Sequence, residues 1–153
     1  NAPLSYAGAR DRFAGYKQAL ADHELAHDPD LVQAAAFLPE AGRRAMELLL
    51  ELPARPTAVF CASDVVALGA MLAIHSAGLC IPDDLALVGF DDIFLAAHAH
   101  PPLTTVRVPA YGLGWTAAEV LIARIEGDAV SSVTLDTELV IRESCGAESA
   151  AAA

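Results

Sequence analysis

Apolar residues in this chain fall into short blocks whose spacing alternates between two habits. Across residues 10–23, Phe13, Tyr16 and Leu20 recur every three or four positions, which predicts one face of a helix. Residues 31–37 (LVQAAAF) form an apolar run of strand length between Pro29 and Pro39. A second helix is predicted over residues 40–52, with Pro39 suited to a first turn that needs no backbone donor. Residues 57–62 (TAVFCA) read as a buried strand, after which Ser63 and Asp64 cap a long helix that Gly78 can end. Residues 85–90 (LALVGF) read as another buried strand, and Asp91-Asp92 as the opening of a short helix. A strand over 104–108, a helix over 113–125 and a β-rich segment over 133–142 complete the pattern. The alanine-rich tail, residues 147–153, is expected to be disordered.

Helices alternate with strands, and the strands are continuous apolar runs rather than alternating ones. That combination predicts an α/β fold with a parallel sheet covered by helices on both faces.

Composition narrows the function classes. A chain of 153 residues suffices for one domain with a core, and no apolar run approaches the roughly 20 residues of a membrane span. No basic segment followed by an apolar run opens the chain, so no signal peptide is expected. The start at Asn1 suggests a fragment or a processed product. The net charge of −11 repels phosphate backbones, so the chain by itself should not bind nucleic acid. Cys61, Cys80 and Cys145 are odd in number and widely spaced, and are expected to be reduced, mostly buried thiols of a cytoplasmic protein.

Two short patterns suggest enzymes and are set aside by their surroundings. His23-Glu24-Leu25-Ala26-His27 matches the H-E-x-x-H of zinc proteases, yet Asp22 and Asp28 flank it, Pro29 follows, and no clear third ligand is placed downstream. It reads as a helix ending with its loop. Gly112-Leu113-Gly114-Trp115-Thr116-Ala117 fits a dinucleotide fingerprint but comes near the end of the chain, whereas that fingerprint opens the first unit of a nucleotide domain. With no nucleophile elbow and no P-loop, no catalytic residue, cofactor or metal is expected.

Ligands of open parallel sheets bind beyond the carboxyl ends of the strands. Phe37, Ser63, Asp64, Asp91 and Asp92 stand at those ends, and Arg12 in the first turn of the opening helix should start at the same edge. An aromatic face, carboxylates, a hydroxyl and a guanidinium suit a small polyhydroxylated or heterocyclic ligand. Helix capping alone would also account for Ser63 and the acids.

The stretch RPTAVFCASDVVALGAMLAIHSAGLCIPDDLALVGFDD, followed by PPLTTVRVP and LVIRES, closely resembles the lactose/galactose repressor family of bacterial transcription regulators. The opening RDRFAGYKQAL fits the same family, and the likeness runs over residues 8–145. It implies the effector-binding domain, with a periplasmic-binding-protein type I fold, of a DNA-binding repressor. The alternative is the solute-binding protein of a sugar transporter with the same fold. By that resemblance Arg12, Phe37, Ser63, Asp64 and Asp91 match effector-contacting positions, with Ser63 where many members have asparagine. The helix from Val65 and residues 94–100 match the parts that form a homodimer. The resemblance further implies that the DNA-binding head and nearly all of the first lobe lie outside this chain. Residues 1–107 and 128–146 would then belong to the second lobe, and 108–127 would pack in the first. Leu113, Val120, Leu121 and Ile125 would show an apolar stripe that folds back, swaps or meets a second copy.

Overall fold

The computed structural model describes residues 6–147. Among the described residues four helices and four strands follow in order: α1 (Ala7–Asp22), α2 (Pro39–Leu50), β1 (Ala58–Phe60), α3 (Asp64–Ser76), β2 (Ala86–Asp91), β3 (Thr104–Arg107), α4 (Ala110–Glu126) and β4 (Glu138–Val140). The strands lie side by side in the order β1-β2-β3-β4. The first three run parallel, with Val59 opposite Leu87 and Gly89 opposite Thr105. β4 pairs antiparallel to β3 and closes one edge. The α/β reading therefore holds, with an antiparallel strand added to a parallel sheet.

The core lies between the sheet and α2 and α3. Leu87 on β2 packs with Met46 and Leu49 of α2 and Ile74 of α3 in one buried cluster. The two helices approach so closely that each needs a glycine at the crossing. A methyl group on Gly42 would strike the Val66 carbonyl, and one on Gly69 the Pro39 carbonyl. Side chains on a strand alternate between faces, so Ala86, Val88 and Phe90 of β2 point away from this core and are half-buried. α1 approaches that other face, where the Arg12 guanidinium lies 4.5 Å from the centre of the Phe90 ring.

Several expectations need correction. Residues 31–37 form no strand: Pro29–Leu31 is a short 3₁₀ turn, and the extended residues after it join no ladder among the described residues. Within residues 133–142 only Glu138–Val140 is a strand. Asp91 and Asp92 cap nothing. Asp91 ends β2, and the 3₁₀ turn at Phe94–His98 has Ile93 as its N-cap. Of the three free thiols, Cys61 is buried, Cys145 half-buried and Cys80 exposed. Cys61 is the inert one, because burial pushes its thiol up to about 12. The expectation of a disordered tail falls, apart from Ala147, outside the described residues.

Candidate functional site

The two decoy patterns have plain local geometry. α1 ends at Asp22, His23 is its C-cap, and Glu24 turns the chain with φ of +58°. His23 and His27 therefore share no helical face, and the His27 ring packs edge-on against Phe13 at 5.8 Å. Gly112 to Ala117 lie inside α4 rather than at a strand-to-helix turn. No grouping of three or more metal-binding side chains occurs among the described residues.

At the carboxyl edge of the parallel strands, one cluster gathers around Phe90 and Asp91. α1 begins at Ala7, so Arg12 sits in its second turn rather than its first. From there its guanidinium reaches the Phe90 ring, and its Nε is buried without a hydrogen-bond partner. The backbone at Asp91 and Asp92 takes positive φ, +113° and +55°, and the two acids meet different surroundings. Asp91 is the freer: burial of its carboxyl and the nearby Asp64 charge raise its pKa, with Arg12 pulling the other way. For Asp92, burial alone would raise the pKa. Hydrogen bonds from Arg142 (2.6 Å) and Arg107 (2.7 Å) outweigh it and hold the carboxyl below its usual range.

Asp64 is fully buried. Its carboxylate accepts from Thr105 Oγ1 at 2.6 Å and from the Ile93 amide at 2.9 Å. Gly89 leaves room for it, because a Cβ there would collide with Asp64 Oδ1. Burial drives the Asp64 pKa upward, these hydrogen bonds oppose the rise, and the Asp92 charge adds to it. Asp64 thus ties the start of α3 to β3 and to the loop that carries Asp91. Ser63, also buried, caps α3 by accepting from the Val66 amide at 3.4 Å. Phe37, by contrast, is exposed and meets Tyr6 edge-to-face at 6.0 Å.

The structure therefore separates the five expected positions by environment. Arg12 and Asp91 present side chains at the edge, Phe37 is exposed and meets Tyr6, and Ser63 and Asp64 are buried with their polar groups engaged internally. Sequence reasoning missed Phe90. It ends the apolar run LALVGF just before Asp91, and a strand-end aromatic beside an acid was the available signal. Thr105 was missed as well, since nothing in its local sequence announces a bond to a residue 41 positions away.

Residues 4–145 match a periplasmic binding protein-like domain. The HTH-type transcriptional repressor CytR of Escherichia coli K12 is 44% identical over 135 residues, covering 87% of this chain and 40% of that protein. A putative transcriptional regulator LacI from Bacillus cereus superposes with a TM-score of 0.91 at 30% identity, over 94% of this chain and 52% of the other. A sugar-binding transcriptional regulator of the LacI family from Escherichia coli, complexed with phosphate, gives 0.86 at 32% identity, over 94% and 52%. The chain spans about two-fifths of the length of the curated relatives it matches.

Proposed function

The chain belongs to the periplasmic binding protein-like domain family, and from that premise we propose that it is the effector-binding and dimerising part of a DNA-binding transcriptional repressor. The effector is a sugar or similar small metabolite, and the chain does no covalent chemistry on it. One observation carries the reading: an arginine, a strand-end aromatic and a partly desolvated aspartate converge where parallel strands end. In this reading the buried Nε of Arg12 waits for an acceptor, and Asp91 accepts from ligand hydroxyls. Phe37 supplies an apolar face beside them. Asp64 and Ser63 hold this edge in place from below, so their effect on the ligand passes through the Asp91 loop. No helix of the described residues is long and apolar enough to cross a membrane. Contact with operator DNA belongs to a part of the protein outside this chain.

Dimerisation has its own support. Phe94 is 78% exposed and stacks on His98, Leu95 is exposed beside it, and Leu72 projects outward from α3. Large exposed apolar side chains such as these favour a partner surface.

A thermal-shift screen of monosaccharides and nucleosides, followed by calorimetry of the best hit, tests the proposal. The expected outcome is saturable binding that weakens at least about tenfold in Arg12→Gln and in Asp91→Asn. Binding unchanged in both variants would sink the site.

A further inference from the structure

At the end of β2 the chain passes through two successive non-glycine residues with positive φ. Asp92, at +55°, lies in the left-handed region that aspartate enters at modest cost. Asp91, at +113°, lies beyond that region. Such a backbone persists only where its surroundings over-determine it.

The groups that fix it act on the next two residues. The Asp92 amide donates to Thr105 Oγ1 at 3.4 Å, and the Ile93 amide to Asp64 Oδ2 at 2.9 Å. The Asp92 side chain is only 9% exposed and gives one oxygen to each of two arginines, Oδ1 to Arg142 and Oδ2 to Arg107. Both arginines are held elsewhere as well. Arg142 donates to the Leu103 carbonyl at 2.7 Å, and its own amide to Thr104 Oγ1. Arg107 pairs with Glu138, its neighbour across the β3–β4 ladder. A carboxylate gripped on both oxygens by anchored guanidinium groups has one position, and the backbone that carries it has little choice of φ.

We propose that Asp92 is a positioning residue. Gripped by Arg107 and Arg142, it holds the backbone at Asp91 in a conformation that Asp91 would otherwise leave, and so keeps the Asp91 carboxyl beside Arg12. Glycine would make this turn without strain, so the strain serves the aspartate side chain. Asp64 and Thr105 fix where the chain leaves β2, while the two arginines fix the rotation that aims Asp91. Released from them, Asp91 relaxes towards extended backbone and carries its carboxyl away from Arg12, further into water. Asp92 thereby sets ligand affinity without touching the ligand. That consequence rests on the reading of Asp91 as a ligand contact, whereas the clamp itself is open to test with no ligand present.

The test follows two signals in the full chain: exchange of the Ile93 amide, and titration of the Asp91 carboxyl by carbon-13 NMR. In the parent chain that carboxyl titrates above the ordinary aspartate range, because burial and the Asp64 charge disfavour its ionised form. In Asp92→Asn the Ile93 amide is expected to exchange at least about tenfold faster, and the Asp91 titration to fall back towards that of a free aspartate. Adding Asp91→Gly to Asp92→Asn should slow Ile93 exchange again, at least about threefold, and Asp91→Ala in its place should not. Glycine ordinarily loosens a chain, so a restoring effect marks strain. Arg107→Gln, at an exposed side chain, should speed Ile93 exchange about threefold, and it carries the test if Asp92→Asn does not fold. Loss of that positive charge would by itself raise the Asp91 titration, whereas release of the turn lowers it. Unchanged exchange in Asp92→Asn and in Arg107→Gln would overturn the clamp. Faster exchange that glycine fails to slow, or an Asp91 titration that rises in Arg107→Gln, would overturn the positioning role and leave Asp92 a structural ion pair. Neither failure removes Asp91 from the ligand edge, which loss of binding in Asp91→Asn decides.

Discussion

Helices α3 and α4 are both apolar around most of their circumference, yet they end in opposite environments. Eight of the 13 residues of α3 are buried, and none of the 17 residues of α4 is. Hydrophobic composition alone would bury both. The difference lies in what each meets. α3 carries Gly69, Ala70 and Ala73 towards a neighbour, and α2 offers Gly42 in return, so the two backbones nearly touch. α4 carries Tyr111, Trp115, Leu121 and Ile125 outward, all exposed, and residues 131–135 fold back beside its Leu113–Val120 side. Burial is thus a property of the pair of surfaces rather than of one helix.

The sharpest way to break the contrast is at the crossing. Gly69→Ala places a Cβ against the Pro39 carbonyl, a backbone atom that moves only if α2 moves. A loss of roughly 3 kcal/mol or more is expected, measured by urea unfolding. A neutral outcome would mean the helices are not held together at this point. Next in size is Ile74→Ala. Ile74 is fully buried at the centre of the core, and its truncation should cost about 2–4 kcal/mol in the same measurement.

The edge residues add a smaller, pH-dependent effect. Asp92 is held below its usual range by Arg142 and Arg107, so the unfolded chain takes up its proton first. The stability it contributes is present above about pH 4 and is lost as pH falls through its depressed folded value. Asp92→Asn should cost about 1–2 kcal/mol at pH 7 and flatten the fall in stability below about pH 4. Asp64 and Asp91 act with the opposite sign. Their raised folded values make them less stabilising as pH climbs from about 4 through those values. A profile of Asp92→Asn parallel to that of the parent chain would remove Asp92 from this account.

How much of this was legible in the sequence follows from where the information resides. α1 to α4 and β1 to β3 are set by local periodicity, caps and glycines, and the expected positions matched to within a few residues at their ends. The run at 31–37 misled because strand-like composition is local while a strand is a pair, and the run joins no ladder among the described residues. At the candidate site, Asp91 was legible as an acid at a strand end and Arg12 as a cation in the opening helix, whereas Phe37 was assigned to the end of a strand that does not form. The burial of Asp64 was not legible, since its hydrogen bonds come from Thr105 and Ile93, far away in sequence. Asp92 shows the same limit, with its partners at 107 and 142.

The smallest expected effect has the opposite sign and isolates α4. Gly114 sits in the interior of that helix, and a Cβ built there meets nothing within 4 Å. Alanine should therefore fit without strain, while narrowing the conformations open to the unfolded chain. Gly114→Ala is expected to raise stability by about 0.5–1 kcal/mol, against the large loss from the same change at Gly69. Because the gain arises within the helix, it should not depend on protein concentration. A gain that vanishes or reverses at high concentration would show that α4 meets a second copy closely at Gly114, as α3 meets α2 at Gly69. Sedimentation of both proteins across the same concentration range separates the two outcomes.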